Sequence, residues 1–218
     1  PFGMMLVLAV VFSLIGGPTD GMPFFIFLYC GLLPWTFFAG TVSIGSLSLV
    51  ANSNLISKVY FPRVLLPAAT VGAGLVDLGI ASVILVALAF YYRMPATWNL
   101  LMLPVLVVIT MLLTLGVVVW LSAVTVKYRD IRHVIPFALQ VGFFGTPIIY
   151  PASLVPEKWR WLLFLNPMTG IVEGVRSALS GRPFDWPSVG FSAAVTLVLL
   201  VLAIAAFHRT EKSFADLI

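Results

Sequence analysis

Charged residues are scarce in this sequence, and that scarcity excludes a water-soluble protein. Only 9% of the 218 residues are Asp, Glu, Lys or Arg, whereas 61% are hydrophobic. With a mean hydropathy of +1.11, the chain has too little polar surface to cover a globule of this size. We therefore predict an integral membrane protein. The net charge of +4 is small and scattered, which gives no reason to expect a nucleic-acid partner.

Groups for covalent or metal chemistry are equally scarce. Cys30 is the single cysteine, which excludes a disulfide within the chain and a cysteine-based metal cluster; we interpret it as a small apolar residue of a helix. No G-x-x-x-x-G-K-[ST] motif is present, so the chain does not bind nucleotide phosphates by that route. His133 and His208 have no carboxylate at metal-ligand spacing and are interpreted as interfacial residues. We predict no catalytic residue, no metal and no cofactor in this chain.

Long apolar runs are what the sequence does contain. A bilayer core about 30 Å thick needs roughly 20 apolar residues for each helical span. The runs predict one all-α polytopic transmembrane domain over residues 1–218, with six spans. They cover Phe2–Ile15, Phe24–Val50, Val64–Tyr91, Leu100–Val124, a fifth that begins near Ile135 and is interrupted by Pro147 and Pro151, and Val189–Phe207. Because the chain lacks an initiator Met and a cleavable signal pattern, we expect it to begin partway into a longer protein.

The segment Tyr150–Trp186 does not fit a further span. Its apolar pieces are short and are interrupted by prolines and charges. We predict one or two re-entrant or interfacial helices buried against protein, with an extramembrane loop over the helix ends as the alternative. Glu173 and Arg176 stand three residues apart on one predicted helix, where they can pair.

Basic residues divide the loops into two sets. The loops at 51–63 and 126–134 and the C-terminal tail contain Lys58, Arg63, Lys127, Arg129, Arg132, Arg209 and Lys212. The short loops of the other set contain only Arg93. The positive-inside rule therefore predicts that the first set and the C-terminus are cytoplasmic, and that the segment 150–186 faces outward.

Asp77 lies about halfway along the third predicted span. An ionisable group at membrane depth is a candidate proton site or substrate contact. The alternative, which we favour, is a structural hydrogen bond to a neighbouring helix, helped by close packing at Gly72, Gly74 and Gly79. No other central span contains a second ionisable residue, which argues against a proton-coupled carrier.

Two loops of the basic set combine charge with apolar residues. NSNLISKVYFPR, at Asn52–Arg63, predicts a short amphipathic helix with its apolar face at the membrane surface or on a partner. VKYRDIRHV, at Val126–Val134, repeats the arrangement, although it could also serve only as a topology anchor. Two such loops in a chain without an energy source indicate that force arrives from another subunit.

Four motifs in order resemble one family. They are DGMPFFIFLYCGLLPWTFFAG at Asp20–Gly40, SLVANSNLISKVYFPRVLLP at Ser48–Pro67, VKYRDIRHVIPF at Val126–Phe137, and TPIIYPASLVPEKWRWLLFLNPMTGIVEGVR at Thr146–Arg176. Together they are similar to the membrane subunit of type-2 ABC exporters, in the branch that exports lipid-linked polysaccharides such as O-antigen and teichoic acid. An amphipathic N-terminal segment typical of that family is missing from this sequence.

The resemblance implies a permease of the bacterial inner membrane that works as a homodimer with two copies of a separate ATPase subunit, which bind ATP and Mg. It implies coupling helices at Asn54–Arg63 and Lys127–His133. The residues expected to contact the ATPase are Leu55, Lys58, Tyr60, Phe61, Arg63, Lys127, Tyr128, Arg129, Asp130 and Arg132. Those expected on the translocation path or at its exit are Asp77, Trp35, Tyr150, Trp159, Trp161, Glu173 and Arg176. Tyr150, Trp159 and Trp161, together with Phe164 and Trp186, suit the membrane interface or stacking on sugars. The alternatives are a family member with drug, haem or small-lipid cargo, a proton-driven carrier, and a membrane scaffold.

Overall fold

The computed structural model describes residues 2–13, 19–58, 61–128 and 130–211, and within them the regular structure is helical. Ten α-helices occur in this part of the chain. They are α1 (Phe2–Ser13), α2 (Phe24–Gly45), α3 (Ser48–Ala51), α4 (Ser53–Lys58), α5 (Leu65–Tyr91), α6 (Leu103–Lys127), α7 (Ile131–Gly145), α8 (Glu157–Leu165), α9 (Pro167–Ser180) and α10 (Trp186–Glu211). Short 3-10 helices cover Trp98–Met102 and Ala152–Leu154. The predicted all-α class is confirmed.

Within the described residues, four helical segments are long and apolar enough to cross a membrane. They are Phe24–Gly45, Leu65–Tyr91, Trp98–Lys127 and Trp186–Thr210, which match the second, third, fourth and sixth predicted spans. At the other two positions, the described part of α1 has 12 residues and α7 has 15, whereas one helix needs roughly 20 to cross alone. The complete six-span topology therefore stays a prediction.

Three predicted boundaries are wrong, each near a local break. The second span was expected to reach Val50, but α2 ends at Gly45 and α3 follows as a separate turn. The helix expected over Asn54–Arg63 corresponds to α4, described over Ser53–Lys58, but it does not reach Arg63 because Phe61 and Pro62 are not helical. A proline disfavours helical backbone in the residue before it, which explains the non-helical Phe61.

The third correction concerns the loop at 126–134. No separate helix covers the described residues of Lys127–His133, because α6 continues to Lys127 and α7 already begins at Ile131. Tyr128 breaks the helix with φ −125° and ψ 90°. The sequence explains the early start of α7, since Ile131, Ile135, Leu139 and Phe143 recur every four residues and form one buried or half-buried stripe.

α2 is the centre of the fold. Every residue from Ile26 to Trp35 is buried, and Cys30 lies in a helix as predicted. α2 contacts α1, α5, α6, α7 and α9. A helix that is apolar on all sides is expected to be buried among others in this way. By contrast, α5 exposes Val76, Ile80 and Val83. That face suits contact with lipid.

The loops gather at two opposite ends of the long helices. At one end, which we call the Arg182 end, the Asn99 amide donates a hydrogen bond to the Arg182 carbonyl at 2.8 Å. Gly181 closes α9 there in the left-handed region, with φ +71°, against Thr97. The other end, which we call the Phe207 end, contains a separate apolar cluster. Its buried members are Leu49, Val119, Ala123, Val126, Ala203 and Phe207.

This arrangement agrees with the predicted sorting of the loops. Ile56 of α4 packs against the cluster at the Phe207 end, and Val126 at the end of α6 belongs to it. The loop at 93–99 and residues 181–182 lie together at the Arg182 end. The two loops with coupling motifs and the end of α10 are therefore neighbours.

Candidate functional site

The most constrained polar site of the described chain surrounds Arg176 on α9. Its side chain is only 4% exposed. Nη1 donates hydrogen bonds to the Pro147 carbonyl at 2.7 Å and to Glu173 Oε1 at 2.8 Å, and Nη2 donates to the Ile148 carbonyl at 2.7 Å. The i, i+3 pair predicted from the sequence is therefore present. Its guanidinium also holds two backbone carbonyls that are distant in the sequence.

Arg176 has an aromatic partner as well. The guanidinium lies over the Phe27 ring of α2, 3.6 Å from the ring centroid, at a distance typical of a cation–π interaction. Burial lowers the pKa of Arg176 from its ordinary value, and the neighbouring Glu173 carboxylate opposes that change. Because arginine keeps its proton in proteins, the buried Arg176 side chain is a cation. Its charge is compensated by Glu173, the two carbonyl dipoles and the Phe27 ring.

Arg176 fixes a break in the helical chain. We call residues 145–152 the corner segment; it connects α7 to the 3-10 helix before α8. Glu173 Oε1 also accepts a hydrogen bond from the Ala152 backbone N–H at 3.4 Å. In apolar surroundings an unpaired carbonyl or N–H is costly, so broken backbone is tolerated only where protein groups satisfy it. Arg176 and Glu173 satisfy three such groups of the corner segment.

Asn166 holds the beginning of the same corner. Its Nδ2 donates to Thr146 Oγ1 at 2.9 Å and to the Gly145 carbonyl at 3.3 Å, while its Oδ1 accepts from the Met168 backbone N–H at 3.0 Å as the N-cap of α9. Asn166 was not among the site residues predicted from the sequence. The dipeptide Asn166–Pro167, a cap residue followed by proline at the first helical position, is the signal that could have found it.

The corner segment also approaches α2 closely. A Cβ placed on Gly31 would lie 3.0 Å from Ile148 Cα and 3.1 Å from its carbonyl oxygen. Only a residue without a side chain allows this separation without a shift of the backbone. The corner is thus enclosed by α9 on one side and α2 on the other.

The predicted path residues separate into four places. Arg176, Glu173 and Tyr150 belong to the corner region, where the Tyr150 hydroxyl donates to the Phe144 carbonyl at 3.1 Å. Trp35 is buried between α2 and α7 and meets the Phe143 ring edge-on at 6.0 Å. Trp159 and Trp161 are exposed on α8, at 53% and 57%. Within a single protomer Arg176 and Trp35 are therefore enclosed and the two α8 tryptophans are accessible.

Asp77 occupies the fourth place, a groove between α2 and α5. The groove has a volume of about 640 Å³ and is also lined by Thr36, Thr41 and Thr70. The Asp77 side chain is exposed to it, and among the described residues no hydrogen bond or ion pair to it is found. The hydrogen bond to a neighbouring helix that we favoured from the sequence is therefore absent from this part of the chain. Close packing was expected at three glycines. It occurs at Gly74, which contacts Thr41 and Phe37, whereas a Cβ added at Gly72 or Gly79 would meet no neighbour within 4 Å.

The predicted coupling residues lie around the Phe207 end. Most of those that the structure describes are exposed on α4 or at the break between α6 and α7: Leu55, Lys58, Lys127, Tyr128, Asp130 and Arg132. Phe61 and Arg63 are half-buried, and Arg63 has an interaction within the chain. The Lys127 ammonium lies over the Tyr128 ring at 5.3 Å, and Arg132 Nε donates to His133 Nε2 at 3.1 Å. Tyr60 and Arg129 lie outside the described residues.

Comparison with known proteins places this architecture in one family. The family model described as "ABC-2 type transporter" matches residues 1–180. An O-antigen export system permease protein RfbA of Myxococcus xanthus is 31% identical over 216 residues, which cover 97% of this chain and 82% of that protein. The Klebsiella pneumoniae RfbA is 26% identical over 197 residues, or 88% of this chain and 75% of the relative. The polysialic acid transport protein KpsM of Escherichia coli is 26% identical over 125 residues, or 56% and 45%. The resemblance predicted from the motifs is confirmed, and the chain belongs to the ABC-2 type transporter family of membrane proteins.

Proposed function

We propose that this chain is the permease of an ATP-driven exporter that moves a lipid-linked polysaccharide outward across the inner membrane of a bacterium. Two copies would form the path, and two separate ATPase subunits would supply the energy. The family membership supports the transport role. The names of the relatives, which export O-antigen or transport polysialic acid, support a polysaccharide cargo.

One observation carries the proposal beyond the family: the accessible surface at the Phe207 end. Leu55 on α4 and Tyr128 at the α6–α7 break are 44% and 55% exposed, beside the basic residues Lys58 and Lys127. Exposed apolar and aromatic side chains beside charge are typical of a protein interface. Because the positive-inside rule assigns this basic end to the cytoplasm, the surface is available to a cytoplasmic ATPase.

The packing beneath that surface provides a mechanical connection. Ile56 packs from α4 onto the same apolar cluster that contains Val126 of α6 and Phe207 of α10. A close-packed cluster transmits a displacement because it has few voids to absorb it. A partner that pushes α4 would therefore move the ends of two long helices together, provided that its contacts differ between two states.

The test compares two pairs of matched variants in the assembled transporter. Leu55→Ala and Tyr128→Ala remove exposed side chains at the Phe207 end, whereas Leu101→Ala and Tyr91→Ala remove the same exposed residue types toward the Arg182 end. Truncating a central interface residue costs about 1–2 kcal/mol, or roughly a fivefold to thirtyfold loss of affinity. We expect the first pair to reduce co-purification of the ATPase and ATP-dependent export, and the control pair to reduce neither.

Two results would contradict the proposal. If the first pair leaves both ATPase binding and export unchanged, the coupling surface is elsewhere. If the purified chain alone in liposomes exports the lipid-linked polysaccharide without an ATPase, then a separate ATPase does not drive export.

A further inference from the structure

A second groove lies between α6 and α10 and includes Ala203 of the apolar cluster at the Phe207 end. It has a volume of about 770 Å³ and opens on the surface of these two helices. Its lining residues come from both helices and are Gly116, Val117, Trp120, Leu199, Leu202, Ala203, Ala205, Ala206, Arg209 and Thr210. Among these described residues Arg209 is the one that is charged.

Small residues create the groove and large ones flank it. Gly116 and Ala203 are buried, whereas Trp120 and Leu202 are 51% and 60% exposed. At Gly116 the two helices nearly touch, because a Cβ there would lie 3.2 Å from Leu200 Cα. This contact closes one end of the groove, and Arg209 stands at the other.

The length of the groove corresponds to one membrane leaflet. Ten residues separate Leu199 from Arg209, which at 1.5 Å per helical residue is about 15 Å. That is half of a hydrocarbon core about 30 Å thick. The apolar part of the groove therefore runs through the depth of one leaflet, and Arg209 lies where that leaflet's headgroups begin.

We infer that this groove binds an anionic phospholipid of the leaflet on the side of the C-terminus. One acyl chain would lie along Gly116, Trp120 and Ala206, and the headgroup phosphate would accept hydrogen bonds from the Arg209 guanidinium. An arginine suits a phosphate because its planar fork of donors matches two phosphate oxygens. Basic positions between transmembrane helices at a membrane surface are typical sites for anionic lipid headgroups.

The experiment measures lipid retention by native mass spectrometry of the transporter purified with its ATPase subunit. Phosphatidylglycerol and phosphatidylcholine with identical acyl chains are added in competition. Arg209→Gln removes the charge and Arg209→Lys keeps it, while Ala206→Phe fills the groove. Arg93→Gln and Ala87→Phe are the controls, since both positions are exposed and away from the groove.

We expect Arg209→Gln to lower the preference for phosphatidylglycerol by about fivefold, the factor that accompanies one basic residue at an anionic membrane surface, and to leave phosphatidylcholine binding unchanged. Arg209→Lys should retain most of the preference. Ala206→Phe should reduce retention of both lipids, because it occupies the acyl-chain position. Neither control should change either quantity.

Several outcomes would overturn the inference. Equal preference in wild type and Arg209→Gln would show that the charge selects no headgroup, and an equal loss in the Arg93→Gln control would indicate lipid bound without a defined site. Displacement of phosphatidylglycerol by a polyprenyl pyrophosphate would assign the groove to cargo. A disulfide between two copies carrying Leu202→Cys would assign it to the dimer interface.

Discussion

Replacement of Arg176 by methionine should be among the most destabilising single changes in this chain. Methionine keeps the apolar stem of the arginine side chain but removes every hydrogen-bond donor of the guanidinium. The Pro147 and Ile148 carbonyls then lose their partners, and Glu173 remains with its charge uncompensated. Removing one member of a buried ion pair costs about 3–5 kcal/mol. The lost contact with Phe27 acts in the same direction.

A loss of about 4 kcal/mol corresponds to a fall in melting temperature of roughly 10 °C for a chain of this size. The measurement is thermal unfolding of the reconstituted protein, followed by tryptophan fluorescence. Arg160→Met is the matched control: Arg160 also faces a glutamate at i−3, but its ion pair with Glu157 is 3.9 Å long and largely exposed. We expect a change within about 0.5 kcal/mol for that variant.

Two further variants separate charge from geometry. Arg176→Lys keeps the charge but replaces the fork of donors by a single ammonium, so it should lie between wild type and Arg176→Met. Glu173→Gln removes the negative charge that compensates Arg176 but leaves the two hydrogen bonds to backbone carbonyls in place. It should therefore lower the stability less than Arg176→Met does. If Arg176→Met unfolds within 2 °C of wild type (a margin of about 0.5–1 kcal/mol), then the guanidinium does not hold the corner segment.

Three other predictions test separate features. Gly31→Ala should destabilise the protein by about 1–3 kcal/mol, because its Cβ would press on the Ile148 backbone. The control Gly40→Ala, where the added Cβ has open space, should stabilise it by up to about 1 kcal/mol through helix propensity. Equal effects of the two variants in thermal unfolding would contradict the close approach of Gly31 to Ile148. Asp77→Asn should leave export largely intact if the carboxylate has no role in proton transfer; complete loss of export in a normally assembled complex would show the opposite. A cysteine placed at exposed Pro183 should react with a membrane-impermeant maleimide in intact cells, since the native cysteine is buried, and reaction only after lysis would reverse the orientation.

The long helices could be predicted from the sequence because their physical cause is local. An apolar run such as Leu65–Tyr91 needs no distant partner to become a membrane helix. Their ends were harder, because they depend on single residues. Pro62 disfavours helical backbone at Phe61, and the extended backbone of Tyr128 separates α6 from α7.

The site divides in the same way. The pairing of Glu173 with Arg176 follows from their spacing on one helix and was predicted. The bonds to the Pro147 and Ile148 carbonyls could not be, because backbone oxygens have no residue-type signal and lie 28 or 29 residues away in sequence. The open face around Asp77 depends on which helices surround α5. That is a property of the packed bundle.

The links from α9 to the corner segment determine how this part of the molecule can move. Asn166 holds the beginning of the corner segment, Arg176 holds its middle and Glu173 holds its end at Ala152, so the segment stays attached along its length while α9 stays helical. A movement that widens the space beside α9 must therefore move α9 and the corner segment together as one rigid unit. This unit begins where α7 ends, at Gly145, and finishes at Gly181, where the backbone leaves the helical region with φ +71°.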